Sequence, residues 1–119
     1  MKDFRDLKVG QKAHPWTLAL YRITARFPRE ELYGLTSQLR RSSSSISAHR
    51  AEGCGRNGDA ELARFGSIAM GSASELDDRL RLARDLKLIN PKDYGELAQR
   101  TQEVKRMLGG VLGKLNAES

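Results

Sequence analysis

Residues 33–56 read YGLTSQLRRSSSSISAHRAEGCGR, and the reading of this stretch decides the fold. It holds a paired arginine, Arg40 and Arg41, four consecutive serines, one of two histidines and the sole cysteine, Cys54. A serine run can mark a flexible linker, which would cut the chain in two. Yet Leu32, Leu35, Leu39, Ser42, Ile46, His49 and Gly53 recur at steps of 3 and 4, the repeat of one helical face. Ala48 and Ala51 follow in the same stretch. Serine is a mediocre helix former, but tertiary packing overrides so small a preference. The stretch therefore reads as one helix whose small residues admit a close neighbour. Gly53, Gly55, Asn57 and Gly58 break the chain after it.

On the N-terminal side, Val9, Ala13, Trp16, Leu20, Ile23 and Phe27 are spaced 4, 3, 4, 3, 4. That is a heptad seam within a helix running from about Leu7 to Phe27. Asp6 suits its N-cap. Pro15 lacks a backbone donor and crowds the preceding turn, and Gly10 adds weakness. A kink near residues 11–15 is expected, or a helix whose regular part begins at Pro15. Pro28 ends the segment.

On the C-terminal side, a third helix is expected from Asp59 to about Leu86. Its buried face is Leu62, Phe65, Ala69, Ala73, Leu76, Leu80 and Ala83. The next break is strongly signalled. Asn90 reads as an N-cap, Pro91 as the first helical residue and Asp93 as the acid of the first turn. A fourth helix carries Leu97, Thr101, Val104, Leu108, Val111 and Leu115, spaced 4, 3, 4, 3, 4. Four helices, short connections and no strand signal predict an all-α fold. The expected architecture is one antiparallel up-down-up-down four-helix bundle spanning residues 1–119.

Composition fits a single soluble domain of 119 residues, 39% hydrophobic and 30% charged. No apolar run approaches the ~20 residues of a membrane span. The charged N-terminus, MKDFRDLKVGQKAH, does not read as a signal peptide. One cysteine cannot make an internal disulfide, and a cytoplasmic location is expected. The net charge of +6 is uneven: residues 1–58 hold 11 Lys/Arg against 5 Asp/Glu, and residues 59–119 hold 10 of each. A basic half permits an anionic partner such as nucleic acid.

The candidate nucleic-acid contacts are Arg40, Arg41, Arg50 and Arg56, with Lys105 and Arg106 on the fourth helix. Solvated charge is the competing reading of all six. Because Trp16, Phe27 and Phe65 fall on buried seams and no aromatics interleave with the basic residues, binding should be led by phosphate contacts and be salt-sensitive, without base stacking. His14, His49 and Cys54 show no metal-ligand spacing. His49, Glu52 and Cys54 do not share a helical face, which speaks against a thiol nucleophile with a base. The loop GCGRNG precedes a helix but lacks the Gly-Lys-Ser/Thr ending of a phosphate loop. Glu61, Glu75, Asp77 and Asp78 lack the Glu-x-x-His pattern of bundle di-metal sites. They are expected on a solvated face, pairing with Arg79, Arg81 and Arg84. No cofactor and no small-molecule substrate is implied.

Four pieces, DLKVGQKAH (6–14), RFPREELYGLTSQLRR (26–41), AEGCGR (51–56) and IAMGSASELDDRLRLARDL (68–86), carry a resemblance. They resemble the four-helix bundle proteins encoded within intervening sequences of bacterial large-subunit (23S) ribosomal RNA genes. The resemblance covers nearly the whole chain. It implies a four-helix bundle and a ring-like homopentamer, and no enzymatic activity is established for the family. The family is in turn similar to the accessory proteins of diversity-generating retroelements, basic pentameric bundles that engage nucleic acid and a reverse transcriptase. This sequence departs from the family pattern at Gly10, where an aromatic is common, and at Ser47, where proline is common. It departs again at His49-Arg50, where Asn-Ile is common, and at Gly66, which replaces a larger apolar residue. These changes bear on how the first three helices pack.

Overall fold

The computed structural model describes the backbone of residues 4–55 and 59–118, and the side chains of residues 11–46, 60 and 63–113. Four α-helices make the fold: α1 (Phe4–Thr24), α2 (Ser37–Gly55), α3 (Asp59–Asp85) and α4 (Pro91–Glu118). Each packs on its chain neighbours, and α4 closes the set by packing on α1. Every neighbouring pair runs antiparallel, because contacts descend one helix as they climb the other. On α1 and α2, Tyr21 meets Ser44 and Thr24 meets Arg40. On α2 and α3, Gln38 meets Arg79 and Ser45 meets Ser72. On α3 and α4, Gly66 faces Leu112 and Arg84 meets Tyr94. On α1 and α4, Trp16 meets Thr101 and Arg22 meets Glu96. The helices α2 and α4 thus stand at opposite corners, as do α1 and α3.

The seams expected from sequence form the core. Trp16, Leu20, Ile23, Leu39, Ile46, Leu76, Leu80, Leu97, Val104 and Leu108 are all fully buried. Burying a large aliphatic or aromatic side chain stabilises by about 1.5–3 kcal/mol, so these positions dominate the packing energy. Among the described residues, the polar seam positions Ser42 and Thr101 are also buried. Thr101 accepts a 3.0 Å hydrogen bond from Trp16 Nε1 and donates to the Leu97 carbonyl at 2.7 Å. That arrangement satisfies the only polar atom of the largest core residue. The serine run is helical throughout. Ser42 and Ser43 are buried, and Ser43 donates back to the Arg40 carbonyl at 3.0 Å.

The helix boundaries refine the expectations. α1 runs unbroken through Pro15 and stops at Thr24, so its regular part does not begin at the proline. Pro15 is exposed, and so is Gln11, whose carbonyl loses its helical donor. Water can serve that carbonyl, which is why the bundle tolerates the proline.

Leu32 leaves the seam and is 43% exposed. Between α1 and α2 the chain makes a 3₁₀ turn, Arg29–Glu31, and then a wide π-type turn, Leu32–Thr36. Gly34 there has φ −107° and ψ −109°, outside helical values. The helical register is reset at that point, and only residues after it follow the α2 stripe. At the far end, α2 continues through Gly53 to Gly55, past the expected start of the break. Residues 56–58 lie outside the described residues.

α3 ends in a Schellman motif. Leu88 N–H bonds the Ala83 carbonyl at 2.9 Å and Lys87 N–H bonds the Arg84 carbonyl at 3.0 Å. Lys87 takes the left-handed position with φ 61°, where glycine is usual. Asn90 then caps α4: its Oδ1 accepts from Asp93 N–H at 2.8 Å, and its Nδ2 donates to the Asp93 carboxylate at 3.0 Å. Gly66, expected to cost packing volume, is buried against α4. A Cβ there would stand 2.8 Å from Leu112 Cδ2, so its missing side chain lets the two helices close.

Candidate nucleic-acid interface

Of the six basic residues singled out from sequence, the side chains of Arg40, Arg41, Lys105 and Arg106 are described. The side chain of Arg50, and Arg56 altogether, lie outside the described residues, as do the side chains of His49 and Cys54. The four described residues do not form one face. Arg40 and Arg41 stand on α2, and Lys105 and Arg106 stand on α4 at the opposite corner.

Within each pair the two residues differ. Arg40 is half-buried and turned toward α1. Its Nε donates to Thr24 Oγ1 at 3.0 Å and its Nη2 to the Tyr21 carbonyl at 3.3 Å. Its guanidinium lies 4.7 Å from the centre of the Tyr21 ring. A cation beside the last carbonyls of α1 is favoured by the helix dipole, so Arg40 caps α1 from outside the helix. Arg41 is exposed and makes only a 3.4 Å contact to Ser37 Oγ.

Lys105 is likewise held. Its Nζ stands 3.8 Å from Asp77 Oδ2. Asp77 corrects the expectation of a solvated carboxylate, since it is only 5% exposed. It takes Arg81 Nη2 at 3.1 Å from its own helix and Gln102 Nε2 at 3.4 Å from α4. Such partners offset the hydration a carboxylate loses when it is withdrawn from water. Arg106, next in sequence, is exposed with no partner among the described residues.

Most other charges are paired. Across α1 and α4, Lys12 meets Glu103 at 3.7 Å and Arg22 meets Glu96 at 3.4 Å, and Arg26, just past α1, meets Asp93 at 3.0 Å. On α3, Arg79 pairs with Glu75, and Arg81 also reaches Asp78. Arg84 bonds Asp85 at 3.1 Å, and that bond raises the guanidinium above its ordinary value. Arg29, Arg41, Lys87, Lys92 and Arg106 have no acidic partner among the described residues. Of the described acids, only Glu30 and Glu31 have no ion pair.

Two aromatics missed by the seam reading are on the surface. Tyr33 is 93% exposed, and Tyr21 is 40% exposed with the Arg40 guanidinium over its ring. Neither lies on a seam position, which was the available signal. A polar groove of about 500 Å³ runs between α1 and α4 beside Pro15, Gln99 and Arg100. Among the described residues no three His, Cys, Asp or Glu side chains could hold a metal ion. Among them, too, no helix is long and apolar enough to cross a membrane.

A family profile described as 23S rRNA-intervening sequence protein matches residues 5–110. Among solved structures, a protein of unknown function from the S23 ribosomal protein family of Bacteroides thetaiotaomicron superposes with a TM-score of 0.81. It is 20% identical, and the match covers 92% of this chain and 99% of that one. At that identity the likeness speaks for the fold alone. No curated protein matches the chain.

Proposed function

The chain belongs to the 23S rRNA-intervening sequence protein family, and from that premise we propose a role in contact and not in catalysis. It is a self-assembling helical bundle that meets nucleic acid through the phosphate backbone. The observation that carries this reading is the leftover charge. Seven described acids, Glu75, Asp77, Asp78, Asp85, Asp93, Glu96 and Glu103, are each held in an ion pair. The cations Arg29, Arg41, Lys87, Lys92 and Arg106 are left exposed to solvent. Unpaired surface cations raise the local concentration of a polyanion and release its counterions on contact.

Self-assembly is supported by the exposed apolar residues. Leu18 and Tyr21 lie on α1, and Leu82 on α3 and Leu86 just past its end lie at the opposite corner. Two unlike patches on opposite sides suit head-to-tail contacts, which close into a ring when the rotation permits. Five subunits is the ring size that the family resemblance implies. Light scattering at micromolar protein tests this directly. A species of 13.3 kDa would refute assembly.

Binding of the purified protein to a structured RNA and to a DNA duplex across a salt series tests the nucleic-acid role. Affinity should fall steeply as salt rises from ~50 to ~200 mM. Absence of binding at the low end refutes the nucleic-acid role and leaves a scaffold for protein partners as the function.

A further inference from the structure

We infer that the pocket between the end of α1 and the start of α2 binds a carboxylate that carries a short apolar group. This goes beyond the nucleic-acid reading above and does not depend on it. The pocket holds about 210 Å³. That is below the ~300–1,000 Å³ of sites that enclose a whole drug-sized ligand. It suits one small acid or the last residue of a polypeptide, and the two share the same chemistry.

The lining is of two kinds. Phe27, Pro28 and Leu32 are apolar, and Arg29 and Arg40 bring two guanidinium groups to the same small space. No carboxylate of the described residues lines it. The α1–α4 groove, by contrast, has Glu96 and Glu103, and a pocket between α2 and α3 has Glu75. Glu30 and Glu31 follow Arg29 in the chain, but neither lines the pocket. Arg29 has no acidic partner among the described residues. Arg40 gives Nε and Nη2 to neutral acceptors, the Thr24 hydroxyl and the Tyr21 carbonyl, and its Nη1 makes no hydrogen bond among the described residues. Neither charge is thus neutralised within the fold, and the pocket is complementary to an anion. The carbonyl end of α1 opposes this. Its Tyr21, Ile23 and Thr24 carbonyls, however, already accept from backbone N–H groups, and Arg40 lies over the first of them.

A separate observation calls for an occupant. Thr36 lines the pocket and is 3% exposed. Its Oγ1 is one of two buried side-chain polar atoms with no hydrogen-bond partner among the described residues. Thr24, the other threonine of the lining, is engaged: its hydroxyl donates to the Leu20 carbonyl and accepts from Arg40. Burying a hydroxyl without a partner costs stability. A carboxylate oxygen seated in the pocket would accept that hydrogen bond. With two oxygens and about four acceptor sites, a carboxylate can take a guanidinium edge and a hydroxyl together. The group attached to it would rest on Phe27 and Pro28 and cover the exposed Leu32, which removes apolar surface from water.

The test titrates four probes into the full chain and follows them by ligand-observed NMR: N-acetyl-leucine, 4-methylpentanoate, N-acetyl-leucine amide and inorganic phosphate. The two acids should bind with a Kd of about 1 mM, as suits so few atoms. The amide lacks the charge and phosphate lacks the apolar group, so each should bind at least about tenfold more weakly. Whichever acid binds more tightly names the source, N-acetyl-leucine a polypeptide end and 4-methylpentanoate a free acid. Arg29→Gln and Thr36→Val should each weaken the acids by about five- to tenfold, and Arg106→Gln on α4 should leave them unchanged. Thr36→Val removes a hydroxyl that bonds nothing in the free protein, so its urea midpoint should hold or rise. Arg29 is exposed and unpaired, so Arg29→Gln carries the test if Thr36→Val fails to fold. Amide or phosphate bound as tightly as the acids would overturn the assignment. So would acid affinity unmoved by Arg29→Gln, or no binding of either acid at ~10 mM. Light scattering beside the titration checks the assembly. Its dissociation by either acid would also overturn the assignment, because a neighbouring subunit would then be what fills the pocket.

Discussion

Replacing Arg40 and Arg41 separately tells structural arginine from available arginine. Arg40→Ala removes two hydrogen bonds and a ring contact at once. A hydrogen bond from a charged donor contributes about 1.5 kcal/mol or more when well formed, but the Nη2 bond is long at 3.3 Å. The contact with Tyr21 adds about 0.5–1 kcal/mol at a partly exposed site. The cation beside the α1 terminus adds a few tenths more. One guanidinium makes all of these contacts, so they are not additive, and the half-buried side chain recovers some hydration when unfolded. Alanine returns about 0.2 kcal/mol of helix propensity. Thr24 is not stranded, because its hydroxyl still donates to the Leu20 carbonyl at 2.8 Å. The expected net loss is about 1.5–2 kcal/mol, equivalent to a melting temperature lower by roughly 5–10 °C. Arg41→Ala should change stability by less than about 0.5 kcal/mol. Urea unfolding followed by circular dichroism, at one fixed protein concentration, measures both. Nucleic-acid binding measured well below either melting temperature then separates the roles. Arg41→Ala should weaken binding with stability unchanged. A stable Arg40→Ala protein with reduced binding would show that the contact to α1 is not what this side chain is for.

Three further outcomes follow from the packing. Thr101→Val keeps the volume but strands the buried Trp16 N–H, so unfolding free energy should drop by about 2 kcal/mol; Trp16→Phe in the same chain should then cost less than it does alone. Lys87→Gly relieves the left-handed position at the end of α3 and should raise stability by about 1 kcal/mol in thermal melts. A drop instead would mean that the Lys87 side chain contributes more than its backbone strain. Asp77→Ala leaves Lys105 without its carboxylate and removes a link between α3 and α4. Because Arg81 and Lys105 keep access to water, the loss should be about 2 kcal/mol and not the 3–5 kcal/mol of a fully buried pair. A neutral result in urea unfolding would place Asp77 outside the α3–α4 contact.

The core was legible because every seam repeats at helical spacing over several turns, and burial follows directly from that spacing. Trp16, Leu20, Leu39, Leu80 and Leu108 needed no further information. Leu32 was misplaced because the same spacing was carried backward across Gly34, where the backbone leaves the helix. A periodic pattern does not reveal a reset of register. Asp77 was misplaced for a related reason. It sits beside Leu76 at the edge of the seam, and its neighbours Asp78 and Arg79 suggested a wet face. Its burial depends on Gln102 and Lys105, whose register against α3 is fixed only once the helices are docked.

The basic pairs carry the larger lesson for function. Arg40-Arg41 and Lys105-Arg106 all stand among the candidate contacts, and adjacent basic residues look like a cluster in one dimension. On a helix, adjacent residues point about 100° apart, so when one faces outward the other turns toward a neighbouring helix. Arg41 and Arg106 face outward; Arg40 meets the end of α1 and Lys105 meets Asp77. Each pair thus supplies one charge to the surface and one to the fold.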